Sequence, residues 1–111
     1  MKVSFKFIAL LTTIAAAGAL AQSDEYNYRL SPEKIADGVY ALIGKTEDFS
    51  WQNGGNVVNS GFIVTNAGVV VIDTGPSKRY GEQMRAAIKK ITPQPIVKVF
   101  NTHHHPDHIF G

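Results

Sequence analysis

The sequence contains no cysteine, which excludes both a disulfide framework and a thiolate metal site. Histidine is absent from the first 102 residues, so any imidazole chemistry must come from the last few. No cluster of Lys and Arg with interleaved aromatics occurs, and a nucleic-acid interface therefore has no basis. The longest apolar run, Phe7 to Leu20, is 14 residues, short of the roughly 18–20 that span a bilayer. There is no internal repeat. What is present, 44% hydrophobic and 18% charged residues in a chain of 111, describes a globular chain with room for one small domain at most.

The N-terminus is a segment to set aside before fold reasoning. Lys2 and Lys6 give a positive leading region, Phe7–Leu20 is almost wholly apolar, and Ala19-Leu20-Ala21 is a small-x-small cleavage site. This pattern predicts a signal peptide over residues 1–21, cut before Gln22, with an exported protein that is periplasmic or secreted and not stably inserted in the membrane afterwards. Removing Lys2 and Lys6 with the signal takes the formal charge from +2 to 0. The high sequence pI is thus partly a property of the export signal. Export permits disulfides, but without cysteine stability must come from packing, from metal or from further chain.

After a polar entry (22–29), DGVYALIG (37–44) alternates in the manner of a strand. KTEDFSWQNGGN (45–56) is rich in turn formers and reads as a loop, with Gly54-Gly55 as its tip rather than a substrate flap. SGFIVTNAGVVVIDTG is the strongest structural signal. Its β-branched runs Phe62–Thr65 and Val69–Ile72 flank Asn66-Ala67-Gly68, as in a short hairpin. Both runs are apolar on consecutive residues, which predicts a sheet covered on both faces. Ser77 is a candidate N-cap, and KRYGEQMRAAIKKI (78–91) places Tyr80, Met84, Ile88 and Ile91 on one helical face. Thr92-Pro93 ends that helix, and IVKVF (96–100) predicts a last strand. Hairpin, helix and strand together make an α/β or α+β layer of helix on sheet.

All four histidines then fall in NTHHHPDHIFG (101–111). Neutral imidazole and carboxylate are the usual zinc ligands when thiolate is lacking. In an extended chain His103, His105 and Asp107 point one way and His104 the other. Pro106 favours that extended geometry at His105. His108 reaches the same region only through a turn, which Asp107 is suited to begin and cap. Four metal-binding side chains, His103, His105, Asp107 and His108, result. Crowding four ligands within six residues onto one ion leaves no open position for water. Division between two ions, with further ligands from elsewhere, relieves it, and ions about 3.5–4 Å apart can share a hydroxide.

NTHHHPDHIFG resembles the H-x-H-x-D-H signature of the metallo-β-lactamase superfamily, including the preceding Asn-Thr and the glycine three residues after the last histidine. SGFIVTNAGVVVIDTG resembles that family's early hairpin, which ends in Asp-Thr-Gly. The resemblance runs from Asp37 to Gly111. It implies a four-layered αβ/βα sandwich with a dinuclear zinc site at one edge, of which this chain is the N-terminal half (residues 22–111). It also implies that His103 and His105 bind a first Zn2+, that Asp107 and His108 bind a second, and that Asp73 buttresses the site by hydrogen bonding. The family's remaining ligands lie further along its chain, and so does the second half of its sandwich. The resemblance therefore implies a longer enzyme, interrupted after Gly111, with weak zinc binding and no turnover from these residues alone.

The function implied is a zinc-dependent hydrolase acting on a small-molecule ester, thioester or amide-like centre. A metal-bridging hydroxide would be the nucleophile, and Asp107 would orient it. The sequence is similar to glyoxalase II-type members and to exported zinc hydrolases associated with quinoprotein systems. Two other readings stand beside it: an iron-dependent persulfide dioxygenase of the same fold, and a non-catalytic metal-binding exported fragment.

Overall fold

The computed structural model describes residues 26–111; the predicted signal peptide lies outside them. The elements are β1 (Glu33–Ala36), β2 (Val39–Leu42), β3 (Ser60–Thr65), β4 (Gly68–Ile72), α1 (Lys78–Ile91), β5 (Ile96–Phe100) and α2 (Pro106–Ile109). The strands form one sheet in chain order, antiparallel from β1 to β4, with β5 parallel to β4.

The hairpin forms where the two β-branched runs predict it. Thr65 pairs with Gly68 and Val64 with Val69 across the Asn66-Ala67 turn. The Thr65 hydroxyl closes that turn, donating to the Gly68 carbonyl at 2.8 Å and accepting from the Ala67 N–H at 3.1 Å. β1 escapes sequence reasoning because Glu-Lys-Ile-Ala is half charged. It is an edge strand with all four residues exposed, so no apolar alternation marks it.

α1 spans the predicted residues. Ser77 accepts the Tyr80 N–H as its N-cap, and Lys89 and Lys90 face the negative end of the helix dipole. Tyr80, Met84 and Ile88 pack against Leu42, Phe62, Val69 and Val71, and these seven side chains are the core. The buried Tyr80 hydroxyl is met by Ser60 at 2.8 Å, so it adds no unpaired polar group. Ile91 departs from the expected face: as the last residue of the helix it is 37% exposed.

The two faces of the sheet differ among the described residues. Phe62, Val69 and Val71 point to α1 and are buried, whereas Ile63, Val70 and Ile72 are half-buried on the opposite face. Among the described residues, nothing layers onto that second face. The consecutive apolar residues therefore supply one face packed by α1 and a second apolar face on the other side of the sheet. The 45–56 loop is a loop, but a wired one. Fully buried Asn53 accepts from the Ser50 and Gly55 N–H groups and donates to the Asp48 carbonyl. Among the described residues, no helix is long and apolar enough to cross a membrane.

Candidate metal centre

The β4–α1–β5 unit decides where the site forms. Its two strands are parallel, so both end at the same edge of the sheet, the usual location of ligand sites in such layers. Ile72 pairs with Phe100, and the Asp73 N–H donates to the Phe100 carbonyl at 2.8 Å. Asp73 and Thr102 thereby become neighbours although 29 residues separate them.

The histidine turn is zipped to the Asp73–Gly75 segment by backbone. The Thr74 N–H donates to the His108 carbonyl at 2.7 Å, and the Phe110 and Gly111 N–H groups both reach the Gly75 carbonyl at 3.1 Å. Glycine is required at Gly75, where φ is +86° and a Cβ would collide with the Tyr80 ring. At Gly81 it lets α1 approach the chain closely, since a Cβ there would lie 2.6 Å from the Gly111 backbone.

The extended-strand expectation for 103–107 is corrected in its details. The chain bends at Thr102 and His103, and α2 begins at Pro106 with His105 as its N-cap. Proline suits the first helical position because the missing N–H has no helical partner there. Asp107 therefore sits within the first turn rather than capping it, and His105 makes no side-chain cap bond. That single turn brings His108 back over His103, their ring centroids 4.0 Å apart. His103 and His105 also meet, with Nε2 of the first 3.0 Å from Nδ1 of the second. The His104 ring meets that of His105 edge-on, with centroids 5.3 Å apart, and makes no side-chain hydrogen bond among the described residues.

Asp73 anchors this turn. It is buried at 3% exposure and has φ +56°, a left-handed geometry that aspartate tolerates better than most residues. Its Oδ1 accepts the Thr102 N–H at 2.7 Å. Its Oδ2 contacts both the Thr102 hydroxyl and His108 Nδ1, each at 2.8 Å. Burial pushes the Asp73 carboxyl up, but the hydrogen bonds from the Thr102 N–H, the His108 ring and the Thr102 hydroxyl prevail and hold it below the ordinary carboxylate value. The Thr102 hydroxyl in turn meets His103 Nδ1 at 2.9 Å.

The structure thus brings together His103, His105, His108 and Asp73. Asp107 lies half-buried in the adjoining turn, with no side-chain hydrogen bond to the three rings. Among the described residues, no group of three or more His, Cys, Asp or Glu is placed to hold one ion. The donor chemistry nonetheless fits zinc at one point. Two nitrogens bound at about 2.0–2.1 Å to a tetrahedral ion lie roughly 3.3 Å apart, close to the His103–His105 separation. Sequence reasoning gave no role to Thr102, which links the buried carboxylate to the first histidine. Its signals are its place between a strand end and that histidine, and its membership of the Asn-Thr that precedes the signature.

Two lactamase-related structures show the same fold, the DIM-1 metallo-beta-lactamase exposed to ceftazidime (TM-score 0.54, 23% identity) and TMB-1 (TM-score 0.52, 22% identity). Each match covers 71% of this chain and 35% of the other. The linear primary-alkylsulfatase of Pseudomonas sp. (strain ATCC 19151) is 41% identical over 44 residues, which are 40% of this chain and 8% of that protein. The chain therefore spans about a third or less of the length of these relatives. The profile of one family covers residues 53–111, more than half of the chain and all of the site just described. This chain belongs to the metallo-beta-lactamase superfamily.

Proposed function

We propose that this chain carries the first ligands of a zinc-dependent hydrolase. The observation behind the reading is the pair of ring nitrogens on His103 and His105, 3.0 Å apart at the sheet edge, with the His108 ring tilted against that of His103 and tied to buried Asp73. In this reading His103 and His105 hold one Zn2+, and Asp107 and His108 hold a second. Zinc in such a site supplies Lewis acidity and acidifies water towards neutral pH.

The chain's own residues do the rest. Asp73 and Thr102 orient the rings, and Asp107, on the first turn of α2, accepts a hydrogen bond from the attacking water and aims it. The substrate class is a small-molecule ester, thioester or amide-like centre. Sulfate esters join this set because a relative matched over 44 residues is a linear primary-alkylsulfatase. The 111 residues supply only two corners of the first site, so zinc binding is assigned to this chain and turnover to the complete protein. Residues 1–21 direct the protein to the periplasm or the exterior, and no nucleic acid takes part.

Metal analysis combined with hydrolysis assays on the complete protein tests the proposal. Zinc with turnover of one of these ester classes is the expected result. One iron per chain with oxygen consumption on a persulfide would replace it with the dioxygenase reading. His105→Ala should remove bound zinc and lower activity by orders of magnitude.

A further inference from the structure

We infer that Thr102 is a positioning residue, through which Asp73 fixes the ring protons of His103 as it directly fixes those of His108, so that both present a bare Nε2 before any metal arrives. The inference rests on the proposed metal-binding role of these rings for its consequence, but its geometry stands without it.

The argument is an inventory of hydrogens. A carboxylate only accepts hydrogen bonds, so both partners of Asp73 Oδ2, the Thr102 hydroxyl and His108 Nδ1, must donate to it. That commits the single hydroxyl hydrogen of Thr102. His103 Nδ1 lies 2.9 Å from the same oxygen, which has only lone pairs left to offer, so Nδ1 carries the hydrogen. A neutral imidazole has one N–H; hence Nε2 of His103 and Nε2 of His108 are both bare.

Nε2 of His103 faces His105 Nδ1 at 3.0 Å, on the side of the ring away from Thr102. His103 and His108 keep their tautomers, because their protons point away from the metal position into Thr102 and Asp73. Outer partners of this kind typically change metal affinity about 10–100-fold when removed.

The test uses the metal-free complete protein, labelled with 15N in its imidazoles, and long-range 1H–15N correlation spectra at a pH where the rings are neutral. His103 and His108 should both show a protonated Nδ1 and a bare Nε2. Thr102→Val should release His103 into a mixture of tautomers while His108 is unchanged, and Thr102→Ser should restore it. With Zn2+ alone added, the ring 15N signals should shift while His103 and His108 keep their Nδ1 protons. Zinc affinity should fall about 10–100-fold in Thr102→Val and recover in Thr102→Ser.

The wild-type spectrum decides even if the valine variant does not fold: an Nε2–H tautomer at His103 overturns the inference. So does a folded Thr102→Val chain whose His103 is unaltered. If the tautomers are as stated but zinc shifts none of the rings, the metal reading fails and the inference about the protons holds. If zinc binds while His103 carries its hydrogen on Nε2 beforehand, the inference fails alone.

Discussion

The hairpin–helix core and the histidine turn are held by different forces. The core is closed by apolar contact: Phe62, Val69, Val71, Tyr80 and Ile88 are each at most 2% exposed. The turn buries none of its own residues. It is held from outside, by backbone bonds to Thr74 and Gly75 and by one buried carboxylate, Asp73. A packed core tolerates no openness, whereas a metal-binding turn must keep its ring nitrogens accessible. Fixing exposed rings from beneath meets both needs, and it makes Asp73 the joint between the regions.

The largest effect expected from breaking this contrast is in the core. Phe62→Ala should lower folding stability by about 3–5 kcal/mol, measured by urea unfolding, with loss of the zinc response only because the fold is lost. Next comes the joint. Asp73→Ala removes the acceptor of three hydrogen bonds and should lower stability by about 1.5–3 kcal/mol. It should also free the His103 and His108 rings, read from their imidazole spectra in protein that stays folded. If it leaves those rings fixed, the turn is self-supporting and the contrast is wrong.

A smaller effect belongs to the core alone and depends on pH. Burial pushes the Tyr80 phenol up, against the lowering by its Ser60 hydrogen bond. Its folded value then exceeds its unfolded one, near 10. The associated stability is complete below that unfolded value and declines as pH rises through the folded one. Urea midpoints should fall above about pH 10, and Tyr80→Phe should flatten that fall. The smallest effect is expected at His104, which makes no side-chain hydrogen bond. His104→Ala should change stability by less than about 0.5 kcal/mol and leave zinc affinity intact. Equal zinc losses in His104→Ala and His105→Ala would remove the distinction between them.

Much of the fold was legible because its signals are local. Ser77 caps α1, the β-branched runs meet at Asn66-Ala67, and IVKVF forms β5. β1 was not legible, since an exposed edge strand needs no apolar pattern. In the site, alternation anticipated that His103 and His105 meet and that His104 stands apart, although the chain reaches this through a bend and a helical turn rather than a strand. Thr102 was invisible as a participant, because a threonine after a strand has many uses and only its spatial neighbours select one.

The sequence by itself determined which chemistry is possible here: imidazole and carboxylate without thiolate, gathered in one short stretch after a strand. Only the tertiary structure decided how that stretch is held. Parallel pairing of β4 and β5 brings Asp73 and Thr102 to one sheet edge, and a contact across 29 residues of chain leaves no periodic trace in sequence. Residue types fix the donors and acceptors available, while the direction of each proton is fixed by what the fold places beside them.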